Sequence, residues 1–97
     1  LGFEVAAAAD GVVTAIDNLA IARIAQLAGA PKAAGAGIEL LRRLGEPVRR
    51  GEPLYRVFAR YEADLEYARR KAATEPGYRV GDAAELPRDF TGSSNGA

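Results

Sequence analysis

The residues able to do chemistry in this 97-residue chain are few, and their spacing narrows them further. Histidine and cysteine are both absent, which removes the commonest general base at neutral pH, the commonest metal ligands, and any thiolate nucleophile or disulfide. Carboxylates, tyrosines, serines and two lysines, Lys32 and Lys71, remain. Glu62 and Glu66 stand one helical turn apart, the spacing an acid and base pair would need. They are flanked by arginines on a face predicted to be solvated, with nothing apolar to raise a carboxyl pKa, so an ion-paired surface helix is the favoured reading. Gly35-Ala36-Gly37 leads into a strand, whereas a dinucleotide loop needs strand, glycines and helix N-terminus in that order; a close-packed turn is expected. Arg42-Arg43 and Arg49-Arg50 could gather into a basic patch. Glu39, Glu46 and Glu52 dilute it, and only Tyr55 and Phe58 lie near enough to stack bases, so solvated strand faces, or salt bridges to another domain of the same protein, explain these arginines better.

These residues have to be positioned by one small domain, the limit for this length. Thirteen basic residues balance thirteen acidic ones, which leaves no net charge to steer the chain to nucleic acid or to a membrane surface. No signal peptide and no 18-residue apolar run is present, so the expected location is cytoplasmic. The chain lacks methionine and opens on Leu1-Gly2, as a piece cut from a longer protein would.

Phe3 to Ala8, Asp10-Gly11 and Val12 to Ile16 predict strand, tight turn, strand, because Asp-Gly readily supplies the positive φ angles of a primed hairpin turn. Asp17 is the expected N-cap of a helix over Asn18 to Ala28, with Ala20, Ile21, Ile24, Leu27 and Ala28 on one face and Gly29 and Pro31 as its stop. Ala28 to Gly37 reads as a loop of small residues, either mobile or pressed closely against another surface. Gly37 to Arg60 spells two strands and their connection, and Tyr61 to Ala73 a second helix with Tyr61, Leu65, Ala68 and Ala72 on one face. A short strand follows at Tyr78 to Val80. The order β, β, α, loop, β, β, α, β predicts an α+β domain with a mostly antiparallel or mixed sheet. Its expected core is Val12, Ile16, Ile21, Ile24, Leu27, Ile38, Leu40, Val48, Leu54, Val57 and Leu65.

Within Gly37 to Arg60 the pattern Gly45-x2-Val48-x2-Gly51-x-Pro53-Leu54 also occurs in lipoyl and biotinyl carrier domains. A swinging-arm carrier presents its lysine at a hairpin tip, whereas Lys32 lies in an alanine and glycine loop after a helix and Lys71 inside a helix. A carrier module is therefore the weaker alternative.

Several short blocks in order carry a second resemblance: Ala9-Asp10-Gly11-Val12-Val13, Ile16-Asp17-Asn18, Ile21-Ala22-Arg23-Ile24-Ala25, Ala28-Gly29-Ala30-Pro31, Gly35-Ala36-Gly37-Ile38 and Gly51-Glu52-Pro53-Leu54-Tyr55. Together, over about Glu4 to Val80, they resemble the C-terminal domain of the thymidine phosphorylase family, the pyrimidine nucleoside phosphorylases together with the AMP phosphorylases. The Ala28 to Lys32 block and the Tyr61-Glu62-x2-Leu65-x2-Ala68 helix resemble the AMP phosphorylase and related bacterial branch more than the short bacterial enzymes. The resemblance implies an α/β-hammerhead over residues 1–90, related in layout to the barrel-sandwich carriers; the composition of 91–97, TGSSNGA, reads by itself as a disordered tail. It also implies a parent enzyme that cleaves a nucleoside with inorganic phosphate as co-substrate and no cofactor, giving free base and a (deoxy)ribose 1-phosphate. Thymidine is the first expected substrate and a nucleoside 5′-monophosphate its rival. In that family the phosphate loop and the base-recognising side chains belong to preceding α and α/β domains, and no position here matches them. No catalytic, substrate-binding or metal residue is therefore expected in this chain. Its expected partners are those preceding domains and further subunits of a homo-oligomeric parent, with neither nucleic acid nor membrane.

Overall fold

The computed structural model describes residues 1–90; the tail expected at 91–97 lies outside the described residues. In chain order it forms strands β1 (Gly2–Ala6) and β2 (Gly11–Ile16), helix α1 (Asn18–Ala28), strands β3 (Gly37–Leu40), β4 (Pro47–Val48) and β5 (Pro53–Phe58), helix α2 (Glu62–Thr74), strand β6 (Tyr78–Gly81) and a 3-10 turn at Ala83–Glu85. The strands make two antiparallel sheets, ordered β1-β5-β3 and β4-β2-β6, which do not close into a barrel. This is the expected α+β architecture with two helices.

The β1–β2 hairpin does not form: the two strands exist, but each joins a different sheet. The reason lies in Ala7, which is buried; its N–H donates to the Glu52 carbonyl and its own carbonyl accepts from the Gly51 N–H, both at 2.8 Å. Asp10 does not close a turn either, because its carboxylate accepts the Arg50 N–H at 2.7 Å. The alanine run thus crosses between sheets, and small side chains let it pass under the chain at Arg49–Glu52.

Arg49–Glu52 is one of two matching turns. Arg43-Leu44-Gly45-Glu46-Pro47-Val48 and Arg49-Arg50-Gly51-Glu52-Pro53-Leu54 follow one pattern six residues apart. In each turn the glutamate N–H donates to the arginine carbonyl, at 3.1 and 3.0 Å, and the glutamate carboxylate accepts the arginine N–H, at 2.6 and 2.7 Å. The third position is glycine, Gly45 at φ 86° and Gly51 at φ 89°, the value a type II turn demands there. The docking matches too. Gly45 N–H donates to the Val13 carbonyl and Val13 N–H to the Glu46 carbonyl, as Gly51 and Glu52 do with Ala7. One turn is pinned to each sheet.

Helix α1 starts and stops as expected. The Asp17 carboxylate accepts the Leu19 and Ala20 N–H groups, and Gly29 donates its N–H to the carbonyls of Ala25 and Gln26. A Cβ on Gly29 would stand 3.0 Å from the Ala33 Cβ, so the small-residue loop is folded closely onto the helix end. Helix α2 runs one residue further than expected and turns Ala68 and Ala72 inward against α1.

The core holds Val13, Ile24, Val48, Leu54, Tyr55, Val57 and Tyr78 together with alanines 7, 28, 59, 68 and 72. Ile24, Val48, Leu54 and Val57 are expected members; Val12, Ile16, Ile21, Ile38 and Leu65 are only partly buried. Leu27 and Leu40 are corrected to the surface, at 40% and 48% exposure, and Tyr61 on the expected inner face of α2 is also exposed. For β2 the error has a local cause: the register with β6 shifts between Val13 and Ala15, so Thr14 is an extra residue and Val13 and Thr14 are buried in succession. Strict alternation would have buried Val12.

Candidate functional site

Among the described residues, the groups singled out for chemistry are occupied by a structural task or solvated. Glu66 accepts ion pairs from Arg69 at 3.6 Å and Arg70 at 3.4 Å on the outer face of α2, while Glu62 stands exposed one turn earlier. The structure does not bring them into a cleft. Lys71 pairs with Glu75, and that hydrogen bond, followed by the lysine charge, holds the Glu75 carboxyl below its ordinary range. Lys32 is exposed in the loop between α1 and β3, not between two strands. Neither lysine occupies a hairpin tip. Among the described residues no group of three or more acidic side chains is arranged to hold a metal ion.

Two tyrosines lie together at the heart of the fold. Tyr55 is fully buried, donates its hydroxyl to the Pro76 carbonyl at 2.8 Å and packs against Tyr78 with ring centroids 5.5 Å apart. Tyr78 donates to the Arg42 carbonyl at 2.7 Å. Burial, and next the Tyr78 phenol beside it, push the Tyr55 hydroxyl up to about 12. Burial, then the Glu46 carboxylate, raises Tyr78 as well. Both phenols are protonated donors at neutral pH, committed to backbone carbonyls, and their work is structural.

The arginine pairs do not gather into one patch. The Arg49 and Arg50 backbone N–H groups donate to the Glu52 and Asp10 carboxylates, Tyr55 is buried, and Arg56 bridges Glu4 at 2.7 Å and Glu39 at 3.6 Å across three strands. The bond to Glu4 comes first among the causes that hold the Arg56 guanidinium above its ordinary range. Arg42 and Arg43 differ. They border an open groove of about 850 Å³ whose other walls include Ile16, Leu40, Leu44, Pro47 and Phe90. Arg42 donates Nη1 to the Leu41 carbonyl and holds Glu52 loosely at 3.8 Å, and its Nε is buried without a hydrogen-bond partner. Arg43 has no ion-pair partner among the described residues. The sequence did not single out this groove, although Leu40 was noted as a core candidate and Arg42-Arg43 as solvated or paired with another domain.

Residues 12–78, most of the chain, match the model of the pyrimidine nucleoside phosphorylase C-terminal domain. The chain belongs to that family. A protein of Albidiferax ferrireducens named "Putative thymidine phosphorylase" is 54% identical over 91 residues, covering 94% of this chain and 17% of that relative. A protein of the same name from Methylococcus capsulatus is 51% identical over 88 residues, 91% of this chain and 17% of its own length. A third, from Rhodopseudomonas palustris, is 49% identical over 77 residues, 79% of this chain and 15% of the relative. The chain thus spans about a sixth of the curated relatives it matches. No helix among the described residues is long and apolar enough to cross a membrane.

Proposed function

We propose that this domain is a non-catalytic C-terminal part of a thymidine phosphorylase. The parent cleaves a pyrimidine nucleoside with inorganic phosphate as co-substrate, releasing free base and a (deoxy)ribose 1-phosphate, in the cytoplasm and without a cofactor. The supporting observation is the family match over residues 12–78, joined by three relatives whose names give that activity. The commitment of the titratable side chains to caps, ion pairs and backbone carbonyls fits a scaffold role. The domain packs on preceding domains, which carry the reacting groups, and supports the cleft they form. The parent assembles as a homo-oligomer.

The test is a pair of assays. The full-length polypeptide, given thymidine and phosphate, is expected to release thymine with deoxyribose 1-phosphate, while the 97-residue chain at equal concentration releases none above background. Release of base by the 97-residue chain would overturn the scaffold role. A parent that takes AMP and leaves thymidine untouched would replace the substrate with a nucleoside 5′-monophosphate and leave that role standing.

A further inference from the structure

Three features of the Arg42–Arg43 groove point the same way. Its wall carries Leu40, 48% exposed although it lies on the strand register of buried Val57 and Tyr55, together with half-buried Ile16 and Leu44 and the Phe90 ring. A segment seated in the groove would bury the exposed part of Leu40 and more of its half-buried neighbours. The Arg42 Nε–H is buried and donates to nothing, a condition buried donors seldom keep in a completed structure. Beside it the Arg43 guanidinium is exposed and has no carboxylate partner among the described residues, at the same mouth. Glu46 does not neutralise it, because the Glu46 carboxylate is spent on the Arg43 backbone N–H. The groove therefore asks for an apolar body that brings its own negative charge.

We propose that the groove is the seat of the preceding part of the parent polypeptide, which fills it with an apolar segment whose Asp or Glu closes on Arg42 and Arg43. The occupant follows from two facts. Relatives nearly identical in extent over this chain devote about five-sixths of their length to other sequence, and the family is by its description a C-terminal domain. A covalently joined partner is present at high effective concentration, so a groove of modest area suffices where a free partner would need more. The planar guanidinium can donate two parallel N–H···O bonds to a carboxylate, which fixes orientation as well as contact. The inference deepens the proposed scaffold role by naming the face used, and it depends on the domain being joined to others, not on which nucleoside is cleaved.

The experiment uses the full-length polypeptide carrying Arg43→Lys, treated with a carbodiimide that couples an amine to a carboxylate in direct contact. Linked peptides are then sequenced by mass spectrometry in an equal mixture of light and nitrogen-15 protein. The expected product joins position 43 to an Asp or Glu outside residues 1–97 of the same polypeptide, and adding Leu40→Asp lowers its yield at least tenfold. A link confined to Glu46 or Glu52, a mixed light and heavy link that reveals a second copy, or no link at position 43 would each overturn the proposal. Failure of phosphorolysis would leave this result untouched, so the two readings fall separately.

Discussion

The two matching turns allow a controlled substitution, because Gly45 and Gly51 share φ, hydrogen-bond pattern and docking but differ in what a side chain would meet. A Cβ on Gly51 meets nothing within 4 Å, whereas one on Gly45 would overlap the Phe90 ring. Gly51→Ala therefore exposes the conformational cost alone, about 1–2 kcal/mol for placing an L side chain in the left-handed region. Gly45→Ala carries the same cost and must also displace a half-buried phenyl ring. Losing about half of a full phenylalanine burial adds about 1 kcal/mol. The assay is urea unfolding followed by circular dichroism, with midpoints compared at constant slope. Gly45→Ala is expected to exceed Gly51→Ala by about 1 kcal/mol, and the two should converge to within about 0.5 kcal/mol when each is made in a Phe90→Ala background, since the interaction term is then removed. Equal costs in the original background, or an excess that survives the loss of the ring, would refute the assigned equivalence of the turns.

Tyr55 gives a pH dependence with a definite sign. Its phenol is protonated in the fold up to about 12 and titrates near 10 when unfolded, so its contribution is fully present below pH 10 and is lost as pH rises to about 12. Unfolding free energy should fall by up to about 1.4 kcal/mol per pH unit in that window, and that component should be missing from Tyr55→Phe in parallel titrations; an unchanged slope in the variant would contradict it. Glu62→Gln and Glu66→Gln should each shift stability by less than about 0.5 kcal/mol, as solvated side chains with at most exposed ion pairs do, and a loss above 2 kcal/mol would mean a hidden buried role. One residue inserted between Val48 and Arg49 should unfold most of the chain at 25 °C, because a turn loses its paired strand and Leu54 its place in the core. The same insertion after Ala34 should cost under about 1 kcal/mol, and comparable midpoints for the two would remove the basis for treating the hexapeptide spacing as fixed.

Helix α1 was legible to the residue because its signals are local: an Asp that can reach two free N–H groups, an apolar face at helical spacing, and a glycine to end it. The strands were legible as segments but not as partners. Asp10-Gly11 carries a hairpin signal, yet the pairing of Ala7 with Gly51 and Glu52 is stronger than the local turn and depends on residues more than forty positions away. The bulge at Thr14 and the inward Tyr55 and Tyr78 went unread for the same reason: burial of a phenol requires a carbonyl to receive its proton, and those carbonyls, on Pro76 and Arg42, come from distant segments. Leu27 and Leu40 were misassigned inward because periodicity reports that a face is apolar without saying whether this domain or another covers it. The groove at Arg42 was not legible in any one segment, because it required the meeting of β2, β3 and Phe90.

The glycine and proline spacing that first suggested a lysine-bearing carrier has a different physical basis. Each glycine supplies the third position of a type II turn, each glutamate locks that turn by returning to the arginine N–H, and each proline starts the strand that follows at a point where it pairs with Ala6 or Val12. The buried residue after each proline, Val48 or Leu54, then drops into the core. Ala7 and Val13 are also six residues apart, so the two turns dock on the two strands in opposite order and hold one sheet against the other. Nothing in this arrangement requires a lysine. The spacing specifies how two open sheets are tied together, so proteins of unrelated activity can share it, and the function of this chain has to be sought on the faces that the tie leaves uncovered.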